Sequence, residues 1–538
     1  MESLKTLVLD ANGMRVGLTP GPIPRQPATI PALIAALEGE SEILLDASGS
    51  LSRAQLKALA EAGAVALAEH GIKPGDRVAA SAGNSSALIA AFLSVQRIGA
   101  IWVGINTNLA PPEMASILAD CGARMMLADA AVAERIAGMA PALEAIWTME
   151  DWASRRDACM GRQAASHAPD PLAPAAIAYT SGTTGLPKGA VHTNHSIMGF
   201  VWGGLSSGQG GHWAPGLRRS VTIPLTILNA INFGPLTAMA GGGSYVVMDR
   251  IDSAGVAGWI ERAGIEMLGS TPTTIIDLVT RPELQAMDLS SLKFAFTGGA
   301  AGSPALRDAF RARFGSELCE VYGMTEAPSG VTGSTAAEPP KPGGVGRALP
   351  HIEVAALDEK GRVLPAGEAG ELCLRAVQTG DWAGVFTGFL GYWGKPEETA
   401  KTFAHGWLHT GDMGVVDEGG NVAIVGRKKD MILRGGANIY PAEIERVLMA
   451  DPDVLEAVVS GLPDARLGAI PAAWVRAKPG VKAGADLVQR LHASCASNLA
   501  RYKVPARWFI AEDFPRNAMN KVLKDQLADL PATEHRPG

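Results

Sequence analysis

The chain reads as an α/β protein with largely parallel strands, made of a large N-terminal part and a smaller C-terminal domain. Three observations lead there. Its 538 residues exceed one ordinary compact core and call for about two to four domains or subdomains. Helix-period and strand-period segments alternate through the first half of the chain. After Asp412 the pattern changes to short alternating strands at 414–416 and 422–425, joined by the turn Glu418-Gly419-Gly420-Asn421.

The N-terminal stretch 1–30 is rich in Pro and Gly, which predicts an extended surface arm without chemistry. Leu56, Leu59, Ala60, Ala64 and Leu67 recur at helical spacing over 52–70; Gly71 closes that helix, and Pro74-Gly75-Asp76 turns into a strand at 77–80. The apolar stretch 87–105 is broken by Gln96 and Arg97, so it reads as a buried helix entering a strand rather than a membrane span. Further helix and strand pairs are expected over 112–127 and 256–268. A Pro-rich connector at 166–174 delivers the chain to an apolar strand at 175–179.

Composition narrows the function classes. Apolar residues at 47% and charged ones at 19% support large cores and exclude a disordered or collagen-like chain. With 47 basic against 54 acidic residues, the net charge of -7 offers no general attraction to nucleic acid or acidic lipid. A polyphosphate ligand would have to be held locally. The scattered Cys121, Cys159, Cys319, Cys373 and Cys495 form no CxxC or Cys/His pair, which predicts reduced thiols, no structural metal and a cytoplasmic location. Residues 1–17 lack the continuous apolar core of a signal peptide.

The principal motif follows the strand at 175–179: Tyr179-Thr180-Ser181-Gly182-Thr183-Thr184-Gly185-Leu186-Pro187-Lys188-Gly189. Glycines let backbone N–H groups approach an anion, hydroxyls donate hydrogen bonds, and lysine supplies compact positive charge. The spacing differs from that of a Walker loop. The string resembles the signature of the adenylate-forming superfamily, which includes acyl-CoA synthetases, luciferases and peptide-synthetase adenylation domains.

Further motifs follow in that family's order, and the resemblance runs over about 51–523. Phe296-Thr297-Gly298-Gly299-Ala300 resembles the strand and turn along adenine, and Tyr322-Gly323-Met324-Thr325-Glu326 the segment in which tyrosine stacks on adenine and threonine meets the α-phosphate. Thr410-Gly411-Asp412 would hold the ribose hydroxyls, although such a triplet alone would be only a turn. Gly426-Arg427-Lys428-Lys429-Asp430 resembles an interdomain hinge, with Arg427 toward ribose and Lys429 as pivot; Gly435, Gly436 and Ala437 resemble the lining of a pantetheine tunnel. Lys521, in a terminal loop, would enter the site to bridge the substrate carboxylate and the phosphates.

The resemblance implies a nucleotide- and acyl-binding domain at 1–426 containing a small β-barrel-like part, a hinge at 427–429 and a small mobile α+β domain at 430–538. It implies an ATP-dependent acid:CoA ligase of the acyl-CoA branch that passes through acyl-AMP, with ATP, magnesium and coenzyme A as ligands and Lys521, Thr325, Glu326 and Lys429 as catalytic residues. Nucleotide contacts would come from Thr180, Ser181, Gly182, Thr183, Thr184, Gly185, Lys188, Gly299, Ala300, Tyr322, Gly323, Met324, Asp412 and Arg427, and metal contacts from Thr184 and Glu326. Alternatives are transfer to a carrier protein, a luciferase-like oxidase, or a non-catalytic AMP- or acyl-CoA-binding protein. A homodimer is compatible with the family; a nucleic-acid partner or an integral membrane segment is not expected.

Departures from the family pattern bear on the substrate. Where many relatives carry Pro-Leu-Phe-His, this chain has Pro224-Leu225-Thr226-Ile227. Ile227 is then either an apolar wall of the acyl pocket or plain strand packing. Asn520 stands before Lys521 in place of glycine, a tolerable exchange because asparagine enters the left-handed region more readily than most residues. Trp202, Ile227, Asn229, Ala301 and Pro328 would line the acyl site with Ala300 and Met324, which implies a neutral hydrophobic acid: medium-chain, alicyclic or aryl-alkanoic. No fixed cation for a second carboxylate is among them. His192, His195 and His212 match no metal spacing and read as structural.

Overall fold

A computed structural model describes residues 8–165, 167, 170–180, 187–207, 214–298, 304–335, 338–340, 343–516 and 522–535. The chain divides into two compact units: 1–354, 373–409 and 420–422 form one, and 355–372, 410–419 and 423–538 the other.

In the first unit, a seven-stranded sheet runs Gly391–Tyr392, Lys188–Thr193, Pro174–Thr180, Ile101–Gly104, Arg77–Ser81, Met125–Ala128, Ala145–Thr148. Its last five strands are parallel, and Lys188–Thr193 runs antiparallel to both of its neighbours. Helix Arg53–Glu69 opens on a reciprocal Ser52–Gln55 capping box, and helix Ser86–Arg97 on a Ser85 cap, each hydroxyl satisfying an orphan N–H of the first turn. Both helices fall where apolar periodicity predicts them.

A second parallel run in the same unit orders Leu318–Met324, Phe294–Gly298, Met267–Ser270, Arg218–Val221, Ser244–Val246 and Glu42–Asp46. Helices Ser253–Ala263, Pro272–Thr280 and Pro304–Phe314 accompany one face, where Val246, Leu268, Ala295 and Leu318 belong to one buried cluster with Ile260, Ile275 and Phe310. The other face is set by alternation. It carries Phe296, which packs on Phe233, and Phe233 packs edge-on against Phe200 of helix Asn194–Leu205.

The second unit contains an α+β body. Strands Ala437–Ile439, Ile432–Arg434, Gly468–Ala477, Arg507–Ile510 and Thr533–His535 lie in that order, with Val454–Asp464 also paired to Gly468–Ala477. Helix Pro441–Leu448 starts with proline in its first turn, as expected, and buries Ile444 and Leu448 beside Val459, Val475, Leu491 and Trp508. Each sheet is an open path, and no closed barrel occurs among the described residues.

Two of the alternative local readings do not hold. Thr410-Gly411-Asp412 is not a free turn but lies inside strand Trp407–Val416, because Thr410 Oγ1 and the Gly411 N–H are held by Leu372 O and Glu371. Strand Arg218–Val221 ends before Pro224, so Ile227 is the residue that precedes helix Leu228–Ile231 and is not packed within a strand. No helix among the described residues is long and apolar enough to cross a membrane.

Candidate active site

Thr180 and Lys188 are paired residues at the mouth of the antiparallel hairpin Pro174–Thr180 and Lys188–Thr193. They close the base of the glycine- and hydroxyl-rich loop. Ser181, Gly182, Thr183, Thr184 and Gly185 lie outside the described residues. The Lys188 ammonium donates to Glu398 Oε2 at 2.5 Å and lies 5.5 Å from the centre of the Tyr392 ring. Lys188 and then Lys401 hold the Glu398 carboxyl below its ordinary range.

Tyr392 links this lysine to the second motif. Its hydroxyl donates to Glu326 Oε1 at 2.5 Å, and the Phe389 N–H donates to Glu326 O at 2.8 Å. Burial, followed by the Glu326 charge, pushes the Tyr392 phenol far above its usual range, so it stays protonated and acts as a donor. Tyr392 reaches this position because Gly391–Tyr392 pairs with the strand that begins at Lys188. Arg15 reinforces the segment from the N-terminal arm: it is half-buried, donates to Thr387 O and Phe389 O, and stacks over Phe403 at 3.8 Å. The arm is therefore fastened to the loop that supports Glu326.

Tyr322, 8% exposed, ends the central run of strand Leu318–Met324. A Cβ on Gly323 would stand 2.0 Å from Ser329 O, so only glycine permits the close return of Ser329–Gly333. Met324, Thr325 and Glu326 follow, half-buried. Behind the strand, Arg307 Nη1 lies 3.5 Å from buried Glu320, which also accepts from Thr297 Oγ1 at 3.3 Å. His192 lies next to the Thr325 backbone and is fully buried; desolvation pushes its pKa down to about 3, leaving a neutral ring. His195 meets Val385 O at 2.8 Å, and His212 is outside the described residues. The two described histidines thus have packing roles, as expected.

In the second unit, Asp412 is 4% exposed and accepts from Arg427 Nε at 2.7 Å. The two residues assigned to ribose therefore engage each other. Lys428 pairs with Glu371 at 2.9 Å, while Lys429 is exposed in the short 3₁₀ turn Lys428–Asp430. Gly435 and Gly436 both have positive φ, 56° and 86°, and form the two-residue turn between Ile432–Arg434 and Ala437–Ile439. Lys521 lies outside the described residues, but the base of its loop is a small ladder: Arg516 bridges Val522, and the Leu523 N–H donates to Pro515 O at 2.8 Å.

Of the residues expected at an acyl site, Trp202 donates its indole N–H to Pro27 O at 2.8 Å, Ile227 and Asn229 are half-buried, and the Pro328 carbonyl accepts from Asn232 at 2.7 Å. Ala301, with Gly299 and Ala300, is outside the described residues. The sequence reading missed Tyr392, Glu398 and Arg15. The available signal was Gly391-Tyr392 followed by the acidic first turn of helix Pro396–Thr402, but no spacing rule connects it to Lys188 or Glu326.

Residues 25–389 match the family described as AMP-binding enzyme, and 443–521 match the AMP-binding enzyme C-terminal domain. A fatty acid–[acyl-carrier-protein] ligase from Streptomyces coeruleorubidus is 35% identical over 86% of this chain and 88% of its own. A long-chain-fatty-acid–CoA ligase from Mycobacterium tuberculosis is 32% identical over 94% and 97%. The crystal structure of an anthranilate CoA ligase in complex with anthranoyl-AMP superposes with a TM-score of 0.83 at 25% identity, covering 93% of this chain and 96% of that one.

Proposed function

Because the chain belongs to the AMP-binding enzyme family, we propose that it is an AMP-forming acid:CoA ligase that converts a hydrophobic carboxylic acid through acyl-AMP to acyl-CoA. The observation that carries this reading is the network Lys188–Glu398 and Tyr392–Glu326, which joins the phosphate-loop lysine to the motif at 322–326. Such a site suits a polyphosphate and its counter-ion.

ATP phosphates lie against the loop from Thr180 to Lys188, with Lys188 leaving Glu398 for the more highly charged ligand. Tyr322 offers its ring to adenine and Asp412 its carboxylate to ribose, with Arg427 at its side. Glu326 fits magnesium: its carboxylate is a hard oxygen donor, and Tyr392 fixes the group through Oε1 alone. Magnesium when bound supplies charge neutralisation on the phosphates. Thr325 steadies the α-phosphate, and Lys521 brings the substrate carboxylate to it. The carboxylate oxygen attacks the α-phosphorus and pyrophosphate leaves; an ionised acid needs no general base.

For the second half-reaction we assign Lys429 as pivot within a 427–429 hinge and Gly435, Gly436 and Ala437 as the path of pantetheine. The CoA thiol attacks the acyl carbonyl and AMP leaves. We further propose a cytoplasmic location, with a homodimer as one form the family allows.

Acid-dependent pyrophosphate release, measured over a panel of hydrophobic acids, tests the first half; thioester and AMP formation on adding CoA tests the second. The reading fails if no acid elicits pyrophosphate. A second reading, transfer to a carrier protein's phosphopantetheine, is favoured by the Streptomyces relative. It gains if acyl-AMP is turned over by holo-carrier protein and not by CoA.

A further inference from the structure

Arg219 is 1% exposed and has no acidic partner among the described residues; its Nη2 donates to Ala214 O at 2.9 Å, and its Nε donates to nothing. A buried guanidinium without a counter-charge is costly, because desolvation is not offset by an ion pair. Burial alone lowers its pKa, to about 10, so it remains a cation at neutral pH.

Its position gives that charge a use. Arg219 and Val221 share one face of strand Arg218–Val221 by alternation, and the Cα partner of Arg219 on the neighbouring parallel strand is Tyr245. The Tyr245 hydroxyl is also buried and approaches Ser220 and Val221 without making a hydrogen bond of ordinary geometry. This is the face of Phe296 and Phe233, adjoining the helices that carry Trp202 and Asn229. The π-helical turn Asn232–Leu236 lies over it closely enough that a Cβ on Gly234 would meet the Tyr245 ring at 2.5 Å. A π-turn is a common mark of function.

We propose that Arg219 and Tyr245 form the far end of the acyl site and select acids bearing an oxygen acceptor, a ketone or a second carboxylate, remote from the carboxyl that is adenylated. This rests on the ligase reading and sharpens it: the substrate is hydrophobic along its length but not at its distal end. Both side chains are enclosed, so an acid's far end reaches them only if the π-helical turn packed on Tyr245 yields. Two donors without acceptors then gain one, and a charge-assisted bond accounts for the preference.

The test compares pyrophosphate release by the full chain with alkanoic acids and with their ω-oxo and ω-carboxy counterparts of equal length. The wild type should favour one oxygenated series in kcat/KM, and Arg219→Met should cut the ratio of oxygenated to plain acid by about 10- to 100-fold. Tyr245→Phe, a near-isosteric change, should cut it several-fold and keeps the test alive if Arg219→Met does not fold. Release with plain acids and no preference for either oxygenated series overturns the inference alone. An unchanged ratio in a folded variant does the same. No release with any acid overturns the ligase reading beneath it.

Discussion

Lys188 and Glu398 form an ion pair of 2.5 Å at the base of the glycine- and hydroxyl-rich loop, so the cation proposed to bind phosphate has a carboxylate competing for it. The pair has a direct kinetic consequence. Glu398→Gln should lower the KM for ATP by a few-fold, since a half-buried carboxylate on the surface competes weakly. Lys188→Met should instead reduce kcat/KM for ATP by about 10- to 100-fold. A Glu398→Gln enzyme whose KM for ATP rises would show that the carboxylate positions the lysine rather than competing for it.

Tyr392 holds Glu326 by a single short hydrogen bond. Tyr392→Phe leaves the ring in place and frees the carboxylate to rotate. The expected result is a fall in kcat of about tenfold and a higher magnesium concentration for half-maximal adenylation. An unchanged magnesium titration would separate Glu326 from the metal.

The fold was legible where apolar periodicity and caps agree, as over Arg53–Glu69 and Ser86–Arg97. Motif order also singled out Lys188, Tyr322 and Glu326, of which Lys188 and Glu326 both lie against Tyr392. Tyr392 and Glu398 were not legible, because their partners are set by the pairing of Gly391–Tyr392 with Lys188–Thr193, a tertiary choice that no local pattern encodes. Arg219 escaped for a related reason. The sequence reading drew nothing from Arg218-Arg219, and only the paired strands on both sides of Arg219 show one guanidinium enclosed.

Stability should depend on three buried neutral histidines. Burial pushes His192 and His351 down to about 3, with His195 adding to the effect on His351, and His195 is itself lowered by burial. The unfolded chain binds these protons near the ordinary value of 6.5 while the folded chain does not, so the stabilisation is complete above that pH and is lost as pH falls toward 3. At about pH 5, His192 and His351 should each have forfeited about 2 kcal/mol. A urea midpoint that does not move between neutral pH and about pH 5 would contradict this.

Lys429 is exposed within its 3₁₀ turn, so substitution there disturbs little packing. Lys429→Pro fixes φ and removes a donor. It should spare pyrophosphate release and slow thioester formation from acyl-AMP by about tenfold or more. Equal losses in both steps would argue against a pivot at this residue.

We assign Lys521 to the adenylation step alone. Single-turnover measurement of Lys521→Ala tests it, using ATP with a genuine acid in one arm and presynthesised acyl-AMP with CoA in the other. Acyl-AMP formation should fall by about 100-fold or more while thioester formation from acyl-AMP persists; undiminished acyl-AMP formation would contradict the account.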